Sequence, residues 1–184
     1  MCKAGEDAEV VVEATYGWYW AVDVLQQELG VSVHLAHPSG LHWGQRRRKD
    51  DERDARDLAD MLRMGRLPEA WIAPTACREL RELVRHRAKL VCLRSGLKAQ
   101  VHAVLAKEGV HVPVADLFGV TGRRLLDEVP LAPAYATRVQ SLRRLIDAYD
   151  VEVERADGEV RTALDGHPYG LRDGHIRCLQ REAG

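Results

Sequence analysis

The sequence predicts an α/β unit followed by a long helical arm. Three observations carry this. A β-branched run occupies residues 9–13, a second occupies residues 31–36 with a helix-spaced stretch between them, and from residue 74 onward two long segments keep helical spacing. Strand, helix and strand in that order make a right-handed crossover, so the two strands should lie parallel in one sheet. The 184 residues suffice for one good core and an appendage. We divide the chain into an α/β domain over 1–73, a helical arm with a turn-rich connector over 74–165, and an atypical tail over 166–184.

Glu9-Val10-Val11-Val12-Glu13 reads as a buried strand that delivers one acid at its end. From about Trp18 to Leu29 the apolar positions Trp18, Val22, Leu25 and Leu29 predict a helix, which Gly30 closes in the manner of a C-cap. Val31 to Ala36 is the second strand. Residues 37–49 hold Pro38, Ser39, Gly40 and Gly44 and form a loop ending in Arg46-Arg47-Arg48-Lys49. A helix capped by Asp50 or Asp51 follows, with Ala55, Leu58, Ala59 and Leu62 as its apolar stripe and Gly65 and Pro68 as its stop.

Between Pro74 and Lys107 the residues Leu80, Leu83, Val84, Leu90, Val91, Leu97, Val101, Val104 and Leu105 approximate a heptad stripe, as a coiled-coil arm requires. Residues 109–133 carry too many Gly and Pro for a long helix, which leaves a connector with one short helix near 122–128. A second long helix follows, marked by Val139, Leu142, Leu145, Ile146, Tyr149, Val153 and Val160, and suited to antiparallel pairing with the first.

Composition narrows the function classes. Hydrophobic residues make up 46% and charged residues 30% of the chain, values of a folded, water-soluble protein with no membrane partner. The first seven residues lack the apolar core of a signal peptide, so a cytoplasmic location is expected. Cys2, Cys77, Cys92 and Cys178 form no C-x-x-C pair and read as reduced, mostly buried thiols. A formal net charge of −1 hides an uneven layout: residues 74–108 hold eight Arg or Lys against three Glu. Such an excess can meet phosphates.

Asp51 and Asp54 stand three apart in the first turns of a helix, hence on one face, and Glu13 adds a third acid from a strand end. Hard divalent cations such as Mg²⁺ take oxygen ligands from a few convergent carboxylates, and two such ions can clamp the oxygens of a phosphodiester. The same residues also have an ordinary use, because acids in a first turn complement the helix macrodipole and a strand-end Glu can be solvated.

Two stretches carry a resemblance. Val11-Val12-Glu13-Ala14-Thr15-Tyr16-Gly17-Trp18-Tyr19-Trp20 and Lys49-Asp50-Asp51-Glu52-Arg53-Asp54-Ala55 resemble the Glu-Ala-Thr and Lys-x-Asp-x-x-Asp-Ala motifs of the insertion-sequence "one-ten" transposases. The similarity extends over about residues 8–170, including Arg63 to Trp71 and both long helices. It implies a RuvC-like ribonuclease H fold that binds two Mg²⁺ ions through an Asp-Glu-Asp-Asp set, with Glu13, Asp51 and Asp54 as metal ligands and catalytic residues. It also implies DNA and a guide RNA as partners, Mg²⁺-dependent DNA cleavage and joining, and self-association through the helical arm.

Two departures from the family pattern shape the expected function. The family's first Asp lies on a strand upstream of the Glu-bearing one, whereas Met1 stands twelve residues before Glu13 and neither Glu6 nor Asp7 has a strand-like context. The family's downstream helical domain carries a nucleophilic Ser, and Ser32, Ser39, Ser95 and Ser141 match nothing of that motif. The expectation is a partial RuvC-like domain, truncated at both ends and inactive alone, with a non-catalytic nucleic-acid-binding or oligomerising remnant as the alternative.

Other candidates are Arg46, Arg47, Arg48 and Lys49, which can hold a phosphate backbone or simply be solvated, and Arg81, Arg85 and Lys89, aligned at i, i+4, i+8 for RNA or as a coiled-coil face. His34 and His37 lack a nearby third ligand and are assigned structural roles. Tyr16, Trp18, Tyr19 and Trp20 are assigned to packing over base stacking because of their helical spacing.

Overall fold

A computed structural model describes residues 8–41 and 50–166. The chain divides into two compact units, residues 1–73 and 74–184. The architecture is mixed α/β, with one three-stranded sheet and mostly helix around it.

In the first unit, strand β1 (Glu9–Glu13) leads into helix α1 (Trp18–Asp23), which continues as a wide π-helical turn over Val24–Glu28. Gly30, at φ +64°, ends this element and the chain returns as β2 (Ser32–Ala36). The two strands are parallel, with Val10 beside Val33 and Val12 beside Leu35. Helix α2 (Asp51–Arg63) starts where the Asp50 side chain accepts the Glu52 backbone N–H at 3.2 Å. Two residues, Glu69–Ala70, add a third strand, β3, antiparallel to β2. This strand was not expected, because a two-residue bridge after Pro68 has no periodicity to read.

Alternation along the strands sorts the unit into two layers. Val12, Val33, Leu35 and Ala70 pack with Val22, Leu25 and Trp18 on the α1 side. Val11 and Ala36 pack with Leu58 and Met61 of α2 and with Leu41 on the other side. A Val or Leu fully taken from water, as Val22 and Leu35 are, contributes about 1.5–3 kcal/mol. The sheet order is β1-β2-β3, so among the described residues one edge of β1 carries no neighbouring strand. Beside that edge Ala55, Leu58, Ala59 and Leu62 of α2, with Glu9 and Val11, line an open hollow of about 360 Å³. Ala55 and Ala59, expected in the apolar stripe of α2, are therefore exposed, and the packed stripe is Leu58 and Met61.

The second unit is a helical hairpin. Helix α3 (Thr75–Lys107) and helix α5 (Pro133–Asp165) run side by side in opposite directions, and α4 (Val120–Glu128) sits in the connector between them. At the connector end Val101, Val104, Leu105, Leu117, Leu126, Val139, Leu142 and Ile146 form one core. Ion pairs join the helices of this unit outside that core. Arg87 pairs with Asp157 and Arg94 with Asp150 between α3 and α5, and Arg123 with Asp147 and Arg143 with Asp127 between α4 and α5.

Candidate nucleic-acid and metal site

Parity fixes the direction of Glu13. Val11 packs against the α2 side of the sheet, and Glu13, two residues on, lies on the same face at the carboxyl end of β1. Its register partner is Ala36, which is packed with Leu58 of α2. On α2, Asp51, Asp54, Leu58 and Met61 follow i, i+3, i+7, i+10 spacing and so share one stripe. The lower half of that stripe is apolar and packed on the sheet. Its upper half is the two carboxylates, placed where core-facing hydrophobics would continue the stripe.

An open hollow lies between β1 and α2, lined by Glu9 and Val11 on one side and by α2 residues from Ala55 to Arg63 on the other. Glu13 and Asp54 are half-buried and Asp51 is exposed. Asp54 Nα donates to the Asp50 carbonyl at 2.9 Å, as a first-turn residue does. Glu13 thus lies on the sheet face that α2 covers, and Asp51 and Asp54 lie on the α2 stripe whose Leu58 and Met61 pack there. They do not close into a coordination shell: among the described residues no three His, Cys, Asp or Glu side chains are gathered tightly enough to hold a metal ion. As carboxylates the three are donors of the kind that a hard divalent cation takes, and an ion would have to draw them together.

His34 has a structural place on this same face. Its Nδ1 is 2.9 Å from Glu69 Oε1 and its Nε2 is 3.8 Å from Glu9 Oε1, which ties β2 to both neighbouring strands. His37 Nδ1 accepts the Ser39 backbone N–H at 3.3 Å in the turn that follows.

The basic candidates divide. Arg46, Arg47, Arg48 and Lys49 lie outside the described residues. Arg81 is buried, 5% exposed, so the stripe expected with Arg85 and Lys89 does not present all three; only Arg85 and Lys89 are on the surface. The local excess of charge on α3 is also smaller than its sequence suggests. Arg87 and Arg94 are held by aspartates of α5, and Lys98 Nζ lies 4.8 Å from the centre of the Phe118 ring. Sequence spacing within α3 has no access to these partners.

Two further expectations are corrected. Of the cysteines expected to be mostly buried, Cys77 is buried and Cys92 is exposed, while Cys2 and Cys178 lie outside the described residues. Of the aromatic cluster assigned to packing, Trp18 packs and meets Tyr19 edge-on at 4.3 Å between ring centres, whereas Tyr16 and Trp20 are exposed. Tyr16 lies in the turn before α1, and the short α1 turns only one face to the sheet, which Trp20 falls off.

Comparison with known proteins bears on this arrangement. The family model described as transposase, that of the IS110-type DEDD transposases, matches residues 1–108. No curated protein and no solved structure matches the chain.

Proposed function

The chain belongs to the IS110-type DEDD transposase family, and from that premise we propose that Glu13, Asp51 and Asp54 form part of a Mg²⁺ site for phosphoryl transfer on DNA. The observation that carries this is the α2 stripe, in which two carboxylates continue the apolar row of Leu58 and Met61, and that row packs with Ala36, the register partner of Glu13. Acids serving only the helix dipole have no reason to continue the apolar row, as half-buried Asp54 does.

When bound, Mg²⁺ would polarise the phosphodiester and neutralise charge at the attacking and leaving oxygens. The chain's own residues orient and hold. Glu13 is fixed by the β1–β2 ladder, and Asp51 and Asp54 are fixed by the packing of Leu58 and Met61 beneath them. On this reading the first unit is part of a RuvC-like ribonuclease H fold. The parallel pair joined through α1, the helix across its face and the open edge of β1 all support it. Strand cleavage then requires a fourth carboxylate beyond these three, and the three alone bind a cation weakly and do not cut.

Arg85 and Lys89, with Arg46, Arg47, Arg48 and Lys49, are the proposed contacts to DNA or guide-RNA phosphates. Self-association through the second unit is supported by its burial pattern. Leu83, Leu90, Val91 and Leu97 are only half-buried in the hairpin, and Leu93, Leu145 and Val151 are exposed. A second hairpin would cover them.

Iron-directed cleavage tests the site. With hydrogen peroxide and ascorbate added, Fe²⁺ substituted for Mg²⁺ reduces the peroxide to hydroxide and a hydroxyl radical where it binds, and ascorbate regenerates the Fe²⁺. The chain is therefore expected to be nicked near Glu13 and near residues 50–55, with excess Mg²⁺ suppressing both. Nicking elsewhere, or nicking unaffected by Mg²⁺, would refute the assignment.

A further inference from the structure

Tyr16 and Trp20 stand in solvent, 105% and 70% exposed, while the ring between them, Trp18, joins the core of the first unit. Burial of an aromatic ring stabilises a fold; a ring left in water contributes little to it and so invites a functional account. Their position supplies one. Tyr16 follows Glu13 by three residues, in the turn off the carboxyl end of β1. Gly17, at φ +81°, bends the chain there, in a conformation that a side chain would strain. The Trp20 indole folds back to this turn, its Nε1 3.6 Å from where a Cβ on Gly17 would stand. Both rings thus flank one turn at the carboxyl edge of the sheet, the edge at which open α/β sheets receive ligands.

We propose that Tyr16 and Trp20 form a stacking platform for an unpaired nucleobase of the strand whose phosphodiester is held at Glu13, Asp51 and Asp54. The proposal rests on the nucleic-acid reading of that site. A nucleic acid is the occupant because it offers both parts in one polymer: phosphates for a cation at the carboxylates and flat apolar faces for the rings. Bases in a duplex are stacked on one another, so the platform takes a base that is single-stranded or extruded. Stacking of this kind has little sequence preference, since every base has a π-face. The two rings therefore position the strand and do not read it.

The test compares binding of the full chain, by fluorescence anisotropy with Mg²⁺ present, to a short single-stranded oligodeoxynucleotide and to the same strand made abasic. The base-bearing strand is expected to bind roughly tenfold more tightly. Tyr16→Ala and Trp20→Ala should each reduce that preference and Tyr16→Phe should retain it, with circular dichroism verifying that every variant folds. Equal affinity of the unmodified chain for both strands overturns the platform and leaves the nucleic-acid reading standing. Binding of neither strand overturns both. A change in sedimentation of the alanine variants with strand preference intact would assign the rings to a protein contact, and so overturn the platform.

Discussion

Glu13 stands beside Ala36 in the parallel ladder, and Ala36, wholly buried, packs with Leu58 on α2. Through this pair the strand that ends in a carboxylate is tied to the helix that begins with two. A larger side chain at Ala36 would lift α2 from the sheet. Ala36→Leu is predicted to cost about 1–3 kcal/mol, read as a lower urea midpoint at unchanged slope. An unchanged midpoint would show that α2 is not seated on that residue.

Much of this arrangement was legible in the sequence, for identifiable reasons. The Val10-Val11-Val12 run, the Gly30 stop and the Asp50 cap are local signals, and the strands and α2 appear where those signals put them. The long helices follow from periodicity sustained over many turns. What was not legible depends on partners distant in the chain. The burial of Arg81, the aspartates that hold Arg87 and Arg94, and the exposure of Tyr16 and Trp20 are set by which face of each helix meets another element. The stripe Asp51, Asp54, Leu58, Met61 was half visible: the two acids were read as one face, and only the packing of Met61 shows that this face is the inward one.

Gly122 of α4 lies against the backbone of Leu117, and a Cβ there would come within 2.3 Å of the Leu117 carbonyl. Backbone cannot give way as a side chain can. Gly122→Ala is therefore predicted to destabilise the second unit by about 1–3 kcal/mol or more, despite the better helix propensity of alanine. A thermal midpoint equal to or above the parent's would contradict the packing described.

Ile146 is 1% exposed within the core of the connector end. Ile146→Ala should cost about 2–5 kcal/mol in chemical denaturation, the sum of lost transfer energy and the cavity left behind. A loss below the lower bound would mean that the hairpin is loosely packed at its best-buried point.

Hydrogen bonding from Arg87 holds the Asp157 carboxyl below its usual range, and Arg143 does the same for Asp127. A carboxylate whose folded value is depressed contributes stability that is present above the ordinary Asp value and is lost as pH falls through the lowered one. The parent should thus lose stability as pH drops below about 4, and Asp157→Asn with Asp127→Asn should flatten that part of the profile. Thermal melts across this range measure it, and parallel profiles for parent and double variant would remove the ion pairs from the account.

The most direct measurement of the central claim is calorimetric titration of the chain with Mn²⁺, a stand-in for Mg²⁺ that takes the same octahedral oxygen ligands, beside an Asp51→Ala, Asp54→Ala double variant. The account predicts weak binding by the parent and none by the variant, with helix content by circular dichroism the same in both. Equal heats from the two proteins would contradict it, and would leave Asp51 and Asp54 as nothing more than the acidic first turn of α2.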